Sequence, residues 1–338
     1  MGLNIPSALT EVLLIEDPSQ IGHARRTAQK RAEQLGFDET DCGRVALVVT
    51  ELASNLLKHA THGALHLRTL AGPEAQGIEI IAVDRGQGFD LRHCLIDGYS
   101  TGGTQGIGLG SISRLAQVFD AYADERGSVL LARLYPRQSV VKDLRYGVSQ
   151  HSLHNDPACG DAWHLALEPG RLSVLVVDGL GHGSEAERAA RAGEEVFALA
   201  PFLSPTELMN DLHIAMTGTR GGAVAIAQYH ATAGRLTFTG IGNIGASLIS
   251  QGKSRGLASH PGIVGSQFRK AQPFDYPDAS GQLLILYSDG LQSRWNLQDY
   301  PGLAQRHPAL IATVLHRDYC RGRDDVTVLV IALEAIDG

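Results

Sequence analysis

Four apolar residues in a row bounded by charged ones in "EVLLIED" (residues 11–17) predict a short strand. Asp17 and Pro18 then predict a helix start, the aspartate as N-cap and the proline at the first helical position. That helix is expected to run through "SQIGHARRTAQKRAEQLG". From Thr40 the pattern changes: Val45, Val48, Val49, Leu52 and Leu56 fall on one stripe, which predicts a second, amphipathic helix. "ALHLRTLA" and "GIEIIAVDRG" read as a strand pair joined by "GPEAQ". After a glycine-rich segment, "IGLGSISRLAQVF" reads as helix and "SVLLARLYP" as a strand stopped by Pro136.

A second series starts near Asp143. The stretches "LRYGVSQHSL", "DAWHLALE", "RLSVLVVDG", "GAVAIAQYH", "RLTFTGIG", "GASLIS", "QLLILYSDG" and "DVTVLVIAL" are strand-like, with helices expected around residues 184–199 and 205–217. Many strands and few helices predict a β-sandwich flanked by helices. The fold class is therefore α/β in two domains, residues 1–138 and residues 143–338, joined by the short "PRQSVVKD".

Length agrees, since 338 residues exceed the usual single domain and leave each half room for its own core. No apolar run approaches the roughly 20 residues that span a membrane, and no cationic stretch followed by an apolar segment opens the chain, so a cytoplasmic location is expected. Cys42, Cys94, Cys159 and Cys320 are scattered singly, without the paired spacing of a zinc site or a disulfide framework. A net charge of −7 argues against a nucleic-acid backbone as the main partner.

Candidate chemistry changes the picture more. Glu51 and Asn55 lie four apart on the second predicted helix and project from one face, a carboxylate beside an amide oxygen that suits one Mg²⁺ and a hydroxyl nucleophile. A polar pair on a solvated helix face would look the same. Further on, "VDRGQGF" ends a strand in Asp84 and follows it with Gly86 and Gly88, and "TGGTQGIGLGS" sets Gly106, Gly108 and Gly110 before a helix. A strand-end carboxylate accepts an amino group from a base, and glycine amides at a helix start face phosphate oxygens.

The ordered boxes "ELASN", "DRGQG" and "GIGLG" resemble the GHKL ATP-binding superfamily and, within it, the small serine kinases of the RsbT and RsbW type, over about residues 8–136. The resemblance implies an α/β sandwich that binds ATP and Mg²⁺. By motif position it implies Asn55 on the Mg²⁺, Glu51 as general base toward the acceptor hydroxyl and Asp84 on the adenine. Gly86, Gly88, Gly106, Gly108 and Gly110 would line the nucleotide and its lid. No helix with a phospho-accepting histidine precedes this region, which favours a protein serine or threonine as acceptor.

In the second half, apolar strands repeatedly end or begin in aspartate: Asp161 in "GDAW", Asp178 in "VVDGLGHG", Asp289 in "YSDG", and Asp324 with Asp325 in "RDDVTVLV". One such residue is ordinarily a turn-former. Four carboxylates brought together would repel one another without a cation, and hard cations favour carboxylate and carbonyl oxygens, the Gly179 carbonyl included. These stretches together resemble the PPM family of metal-dependent serine/threonine phosphatases, in its SpoIIE and RsbX branch, over about residues 143–335. The resemblance implies an αββα sandwich with two Mn²⁺ or Mg²⁺ ions: Asp178 bridging them, Gly179 and Asp161 around one, Asp289 and Asp324 around the other. Asp325 need only be a polar neighbour, and His182 is read either as a proton donor or as a turn residue.

Together the two resemblances imply a regulator that phosphorylates and dephosphorylates serine or threonine on STAS-domain proteins of the anti-sigma-antagonist or stressosome type. The alternative keeps only the phosphatase as an enzyme and makes the first domain an ATP-holding module that sequesters a sigma factor or a STAS protein.

Overall fold

A computed structural model describes residues 2–72, 74–86, 88, 109–139 and 143–334. It divides into two compact units, and their membership is not a simple halving of the chain. Thr10–Leu144 and Tyr300–Thr313 form one, whereas Met1–Leu9, Arg145–Asp299 and Val314–Gly338 form the other.

In the unit built mainly from the first half, β2 (Glu11–Leu14), β3 (Ala64–Leu70), β4 (Gly77–Val83), β5 (Val118–Asp124) and β6 (Gly127–Leu134) form an antiparallel sheet ordered β2-β3-β4-β6-β5. Two long helices, α1 (Pro18–Gln34) and α2 (Glu39–His59), contribute to a core with one face of that sheet. Asp17 caps α1 as expected: its carboxylate accepts from the Ser19 amide at 2.8 Å, while Gln20 reaches back to the Asp17 amide at 2.8 Å. The α2 stripe Val45, Val48, Val49, Leu52 and Leu56 packs with Leu65, Leu67, Ile78, Ile80, Ala82, Leu130 and Ala132. Strand alternation accounts for the choice, because Ile80 pairs with Leu67 and Ala132 while Ala82 pairs with Leu65 and Leu130.

The opposite face of the same strands holds a row of charges. Glu79 pairs with Arg68 on one side and Arg133 on the other, and all three are buried. Glu79 accepts from Arg133 at 2.9 Å and contacts the Arg68 guanidinium at 3.0 Å. Both arginines hold its carboxyl below the ordinary range although burial pushes the other way. Arg133 continues the row to Asp143 at 2.8 Å, and Asp143 meets His307 at 3.1 Å. Asp120 accepts from the His307 amide at 2.7 Å and from Arg306 at 3.1 Å. Residues 300–313 are tied into this unit by those contacts.

The other unit is a sandwich of two sheets. One contains β1 (Leu3–Pro6), β8 (Asp161–Glu168), β9 (Arg171–Gly179), β10 (Gly222–His230) and β11 (Arg235–Ile241), extended by β14 (Ser259–His260) and β17 (Phe274–Tyr276). The second is ordered β13 (Lys253–Gly256), β12 (Gly245–Ser250), β18 (Leu283–Tyr287), β19 (Val326–Ala332) and β7 (Tyr146–His151), and a separate short pair is β15 (Gly262–Ile263) with β16 (Gln267–Phe268). Trp163 of β8 ties the sheets together, donating its indole N–H to Gln150 of β7 at 3.1 Å and lying against Tyr146. The far side of the first sheet, with Ala162, Leu175, Val177, Val224 and Ile226, packs on α4 (Ser184–Leu199) and α5 (Pro205–Met216).

Mixed α/β layering in two units agrees with the expected fold class, with four amendments. Residues 1–9 belong with the second-half unit, because β1 pairs antiparallel with β8. Residues 300–313 belong with the first-half unit, so the expected division at 138 and 143 is crossed twice. Within the described part of "IGLGSISRLAQVF" the helix is α3 (Leu109–Leu115), and Val118 already starts β5, whose alternation the helical reading overran. A last helix, α6 (Pro308–Tyr319), was not expected, since its run "PALIATVLHRDY" carries no strong polar stripe.

Two outcomes follow from the buried charges. Glu79→Ala leaves Arg68 and Arg133 buried without their shared anion and lowers stability by about 3–5 kcal/mol in equilibrium denaturation. His66 on β3 is buried, which pulls its imidazole down to about 4 from the usual 6.5. The unfolded chain takes up that proton first, so the stabilisation is complete above about pH 6.5 and is lost as pH falls toward 4, by about 3 kcal/mol for this group. Melting curves of wild type and His66→Gln should therefore converge across that window on acidification.

Candidate functional site

Two constellations are built by these elements. In the first-half unit, Asp84 extends β4 with the alternation of Ile80 and Ala82, on the face that α2 covers. Its carboxylate is buried and is held from both sides: one oxygen accepts the Gly86 amide at 2.7 Å, and the other accepts the Ser128 hydroxyl of β6. The Asp84 amide donates to the Ser128 carbonyl at 3.0 Å, so strand pairing fixes where the acid stands. Ser128 was not singled out from the sequence; its only signal was a polar residue at the start of an apolar strand opposite the aspartate.

Gly88 adopts φ +65 and its Cα abuts the Asp124 backbone, while Gly127 abuts the Asp84 carbonyl, so the β5–β6 turn and the loop after Asp84 pack without side chains between them. Glu51 and Asn55 stand one turn apart on α2, both partly exposed. Partial burial raises the Glu51 carboxyl above its ordinary value, against the pull of Lys58, which makes the carboxylate a better proton acceptor. Gly110 lies within α3 and is buried. Gly106 and Gly108 lie outside the described residues.

In the second-half unit, the β8–β9 register places Asp161 directly opposite Asp178. Cross-strand partners share a face, and here it is the face turned to the other sheet, beside the ends of β18 and β19. Asp161 is buried and accepts the Ser288 hydroxyl at 2.6 Å; Ser288 in turn accepts the Thr327 amide at 2.9 Å. Asp289 follows Ser288 with its amide 3.5 Å from the Asp178 carboxylate, and Asn243 donates to its side chain at 2.8 Å. Ser288 and Asn243 were missed in the sequence, where neither belongs to an acidic signature.

The Asp178 carboxyl is pushed up to about 9, and so holds its proton far more tightly than an ordinary aspartate, by burial first and then by the charges of Asp161 and Asp289, with Asp324 adding less. Burial likewise raises Asp161, to about 7, against hydrogen bonds from Ser288 and Thr327. Asp324 is raised by partial burial, with His182 near enough to draw it back. Asp325 is different: its oxygens accept the Leu153 and Gly160 amides, each at 2.6 Å, and it anchors the loop before β8. The pair "DD" thus splits into one residue that joins the carboxylate cluster and one that holds backbone.

Oxygen donors crowded at this strand end fit a hard divalent cation, which would relieve the mutual repulsion. Among the described residues no three His, Cys, Asp or Glu side chains are arranged as a finished cage, so the carboxylates surround the region without closing on one point. Gly179 lies against the Ala186 carbonyl of α4 and donates to the Gly160 carbonyl at 2.8 Å. Gly181 and Gly183 take φ +83 and +77, so the glycines of "DGLGHG" serve both helix packing and a left-handed turn. Cys42, Cys159 and Cys320 are free, and Cys94 lies outside the described residues. Among the described residues no helix is long and apolar enough to cross a membrane.

Comparison with known proteins matches each half of the chain to a domain family. Residues 14–134 match the histidine kinase-like ATPase domain, and residues 168–334 match the stage II sporulation protein E (SpoIIE) family. Serine/threonine-protein kinase RsbT of Bacillus subtilis (strain 168) is 36% identical over 97 residues, 28% of this chain and 73% of the relative. A solved structure from work on the bacterial stressosome as a modular system controlling secondary messenger signalling is 25% identical with a TM-score of 0.51, over 56% of this chain and 99% of the other. RsbX in complex with magnesium is 21% identical with a TM-score of 0.49, over 54% of this chain and 92% of the other.

Gly179 supplies a direct check on the strand end. In Gly179→Ala the new methyl has to displace the Ala186 backbone, at a cost of about 1–3 kcal/mol, and divalent-ion affinity measured by calorimetry should fall with the stability.

Proposed function

Because the chain belongs to the RsbT serine/threonine kinase family through its histidine kinase-like ATPase domain and continues into a SpoIIE-type phosphatase domain, we propose that it both adds and removes phosphate on serine or threonine of a protein partner. The observation that carries this reading is the Asp161–Asp178 cross-strand pair, with Asp289 and Asp324 in charge range, in a chain whose other unit shares 36% identity with a protein serine/threonine kinase.

In the phosphorylation step Glu51 accepts the proton of the acceptor hydroxyl, the oxygen bonds to the γ-phosphorus of ATP, and the bond to the β-phosphate breaks to release ADP. Burial, which raises the Glu51 carboxyl, favours that proton transfer. Asn55 supplies an amide oxygen for Mg²⁺, Asp84 accepts the adenine amino group, and Gly86, Gly88, Gly106, Gly108 and Gly110 line the nucleotide. Ser128 and the Gly86 amide orient Asp84 for that contact.

For the reverse direction, Asp178, Asp161, Asp289, Asp324 and the Gly179 carbonyl are proposed to hold two Mn²⁺ or Mg²⁺ ions. Such ions supply an activated water and neutralise the phosphoryl group it attacks. Ser288 and Asn243 orient Asp161 and Asp289, and Asp325 fixes the loop in front of the site. Water adds to phosphorus, the seryl or threonyl oxygen leaves with a proton, and inorganic phosphate departs. A STAS-domain protein is the proposed partner, in keeping with the RsbT likeness and with a stressosome protein among the structural neighbours.

Labelled γ-phosphate followed from ATP onto a STAS-domain protein tests both halves. Label should persist on the partner with Asp178→Asn and be released by wild type. Glu51→Ala should slow labelling by at least about a hundredfold while ATP binding is retained. Absence of any label with Asp178→Asn, together with hydrolysis of a pre-phosphorylated partner by wild type, would leave the phosphatase as the sole enzyme and the first unit as an ATP-holding module.

A further inference from the structure

Tyr300 opens the segment Tyr300–Thr313, which joins the first-half unit from the other half of the chain. It is buried, as are Leu303 and His307, so the segment is held at three points rather than laid loosely over the sheet. Phe119 and Ala121 of β5 face the helices, which leaves Asp120, Tyr122 and Asp124 on the opposite face of the strand. The segment lies along that face. Asp120 takes Arg306 and the His307 amide, and the Tyr122 ring lies 6.5 Å from that of Tyr300.

Beyond Tyr122 the chain turns from β5 into β6, and Tyr300 has its second contact at this turn. The Arg126 guanidinium lies over the Tyr300 ring, 4.0 Å from its centre. Arg126 is also tied to Asp124, whose carboxylate accepts the Arg126 amide at 2.9 Å and stands 3.6 Å from the guanidinium. The ring therefore backs a turn that Asp124 and Gly127 close as a cross-strand pair.

The loop after Asp84 rests against the same turn. A methyl on Gly127 would collide with the Asp84 carbonyl, and one on Gly88 would collide with the Asp124 carbonyl. Ser128, the residue after Gly127, gives its hydroxyl to the Asp84 carboxylate and accepts the Asp84 amide on its carbonyl. Backbones packed without side chains between them pass a displacement on, because close-packed interiors yield little. Tyr300 thus fixes, from the opposite face of the sheet, a turn whose next residue holds the Asp84 carboxylate.

From these contacts we infer that Tyr300 is a positioning residue for nucleotide selection: its ring holds Arg126 and the β5–β6 turn, the turn sets Asp84, and Asp84 prefers adenine to guanine. Tyr300 touches no nucleotide, and the inference rests on the reading of Asp84 as the acceptor of the adenine amino group. Adenine offers an amino donor where guanine carries a carbonyl oxygen, so a fixed carboxylate attracts one base and repels the other. A carboxylate that is less firmly held loses part of both effects. Tyr300 follows Asp289 in the chain, so the adenine preference belongs to the whole protein and not to residues 14–134 alone.

The test measures the Kd of ATP and of GTP by calorimetry on the full chain with Mg²⁺, alongside melting temperature. Tyr300→Leu should weaken ATP about three- to tenfold and GTP much less, so the preference for ATP narrows by a similar factor. Arg126→Gln alters a partly exposed side chain and should narrow the preference likewise, with a melting temperature close to wild type. Tyr300→Phe keeps the ring and should keep the wild-type preference. An unchanged preference in Arg126→Gln overturns the inference whatever Tyr300→Leu does, and so does an equal weakening of both nucleotides, the mark of a merely destabilised unit. Asp84→Asn separates the two readings. If it abolishes the preference while the Tyr300 and Arg126 variants keep it, the inference alone fails; if it leaves the preference intact, Asp84 does not read adenine and the nucleotide reading fails as well.

Discussion

Strand register forces Asp161 and Asp178 side by side, and the organisation of the second-half unit follows from that enforced repulsion. Neither residue is free to swing away, since each sits at the end of an apolar strand whose alternation is committed to the sandwich core. The surroundings respond with oriented dipoles: Ser288 on Asp161, Asn243 on Asp289 and the Asp289 amide toward Asp178. What these groups do not cancel is expressed as carboxyls pushed far above the ordinary aspartate range. Carboxyls held in this way keep their protons to higher pH than a free aspartate does.

The first-half unit treats buried charge in the opposite manner. Glu79 lies between two arginines across neighbouring strands, and the row closes through Asp143 and His307, so the burial is compensated within the protein. Such a row carries no vacancy for a ligand and specifies register instead. Asp84 combines the two manners, its carboxylate satisfied locally by Gly86 and Ser128 at the end of its strand, beside glycines that let the β5–β6 turn pack closely against it. Compensated charge marks framework here, and uncompensated charge marks chemistry.

Much of this was legible in the sequence, and the reasons differ by element. The α2 stripe and the "DG" strand ends are periodic or repeated signals, and periodicity survives folding because it is what the core reads. The strand β5 was hidden because "AQVF" continues a helical spacing for one turn, and only pairing with β6 resolves it. Ser128, Ser288 and Asn243 were invisible for another reason: each acts on an aspartate distant in sequence, and a single polar residue has no periodicity. Asp325 looked equal to Asp324 until the backbone amides that it holds were placed.

Strand β1 puts residues 3–6 on the edge of the sheet beside β8, although the whole stretch Thr10–Leu144 of another unit intervenes. That strand has no pairing partner in β8 until nearly the whole of the neighbouring unit has been made. The return excursion at residues 300–313 imposes the reverse delay on the sheet carrying Asp120. Neither unit reaches its final form before the last third of the chain is present, and a cut between residues 138 and 143 would separate β1 from its own unit and residues 300–313 from theirs.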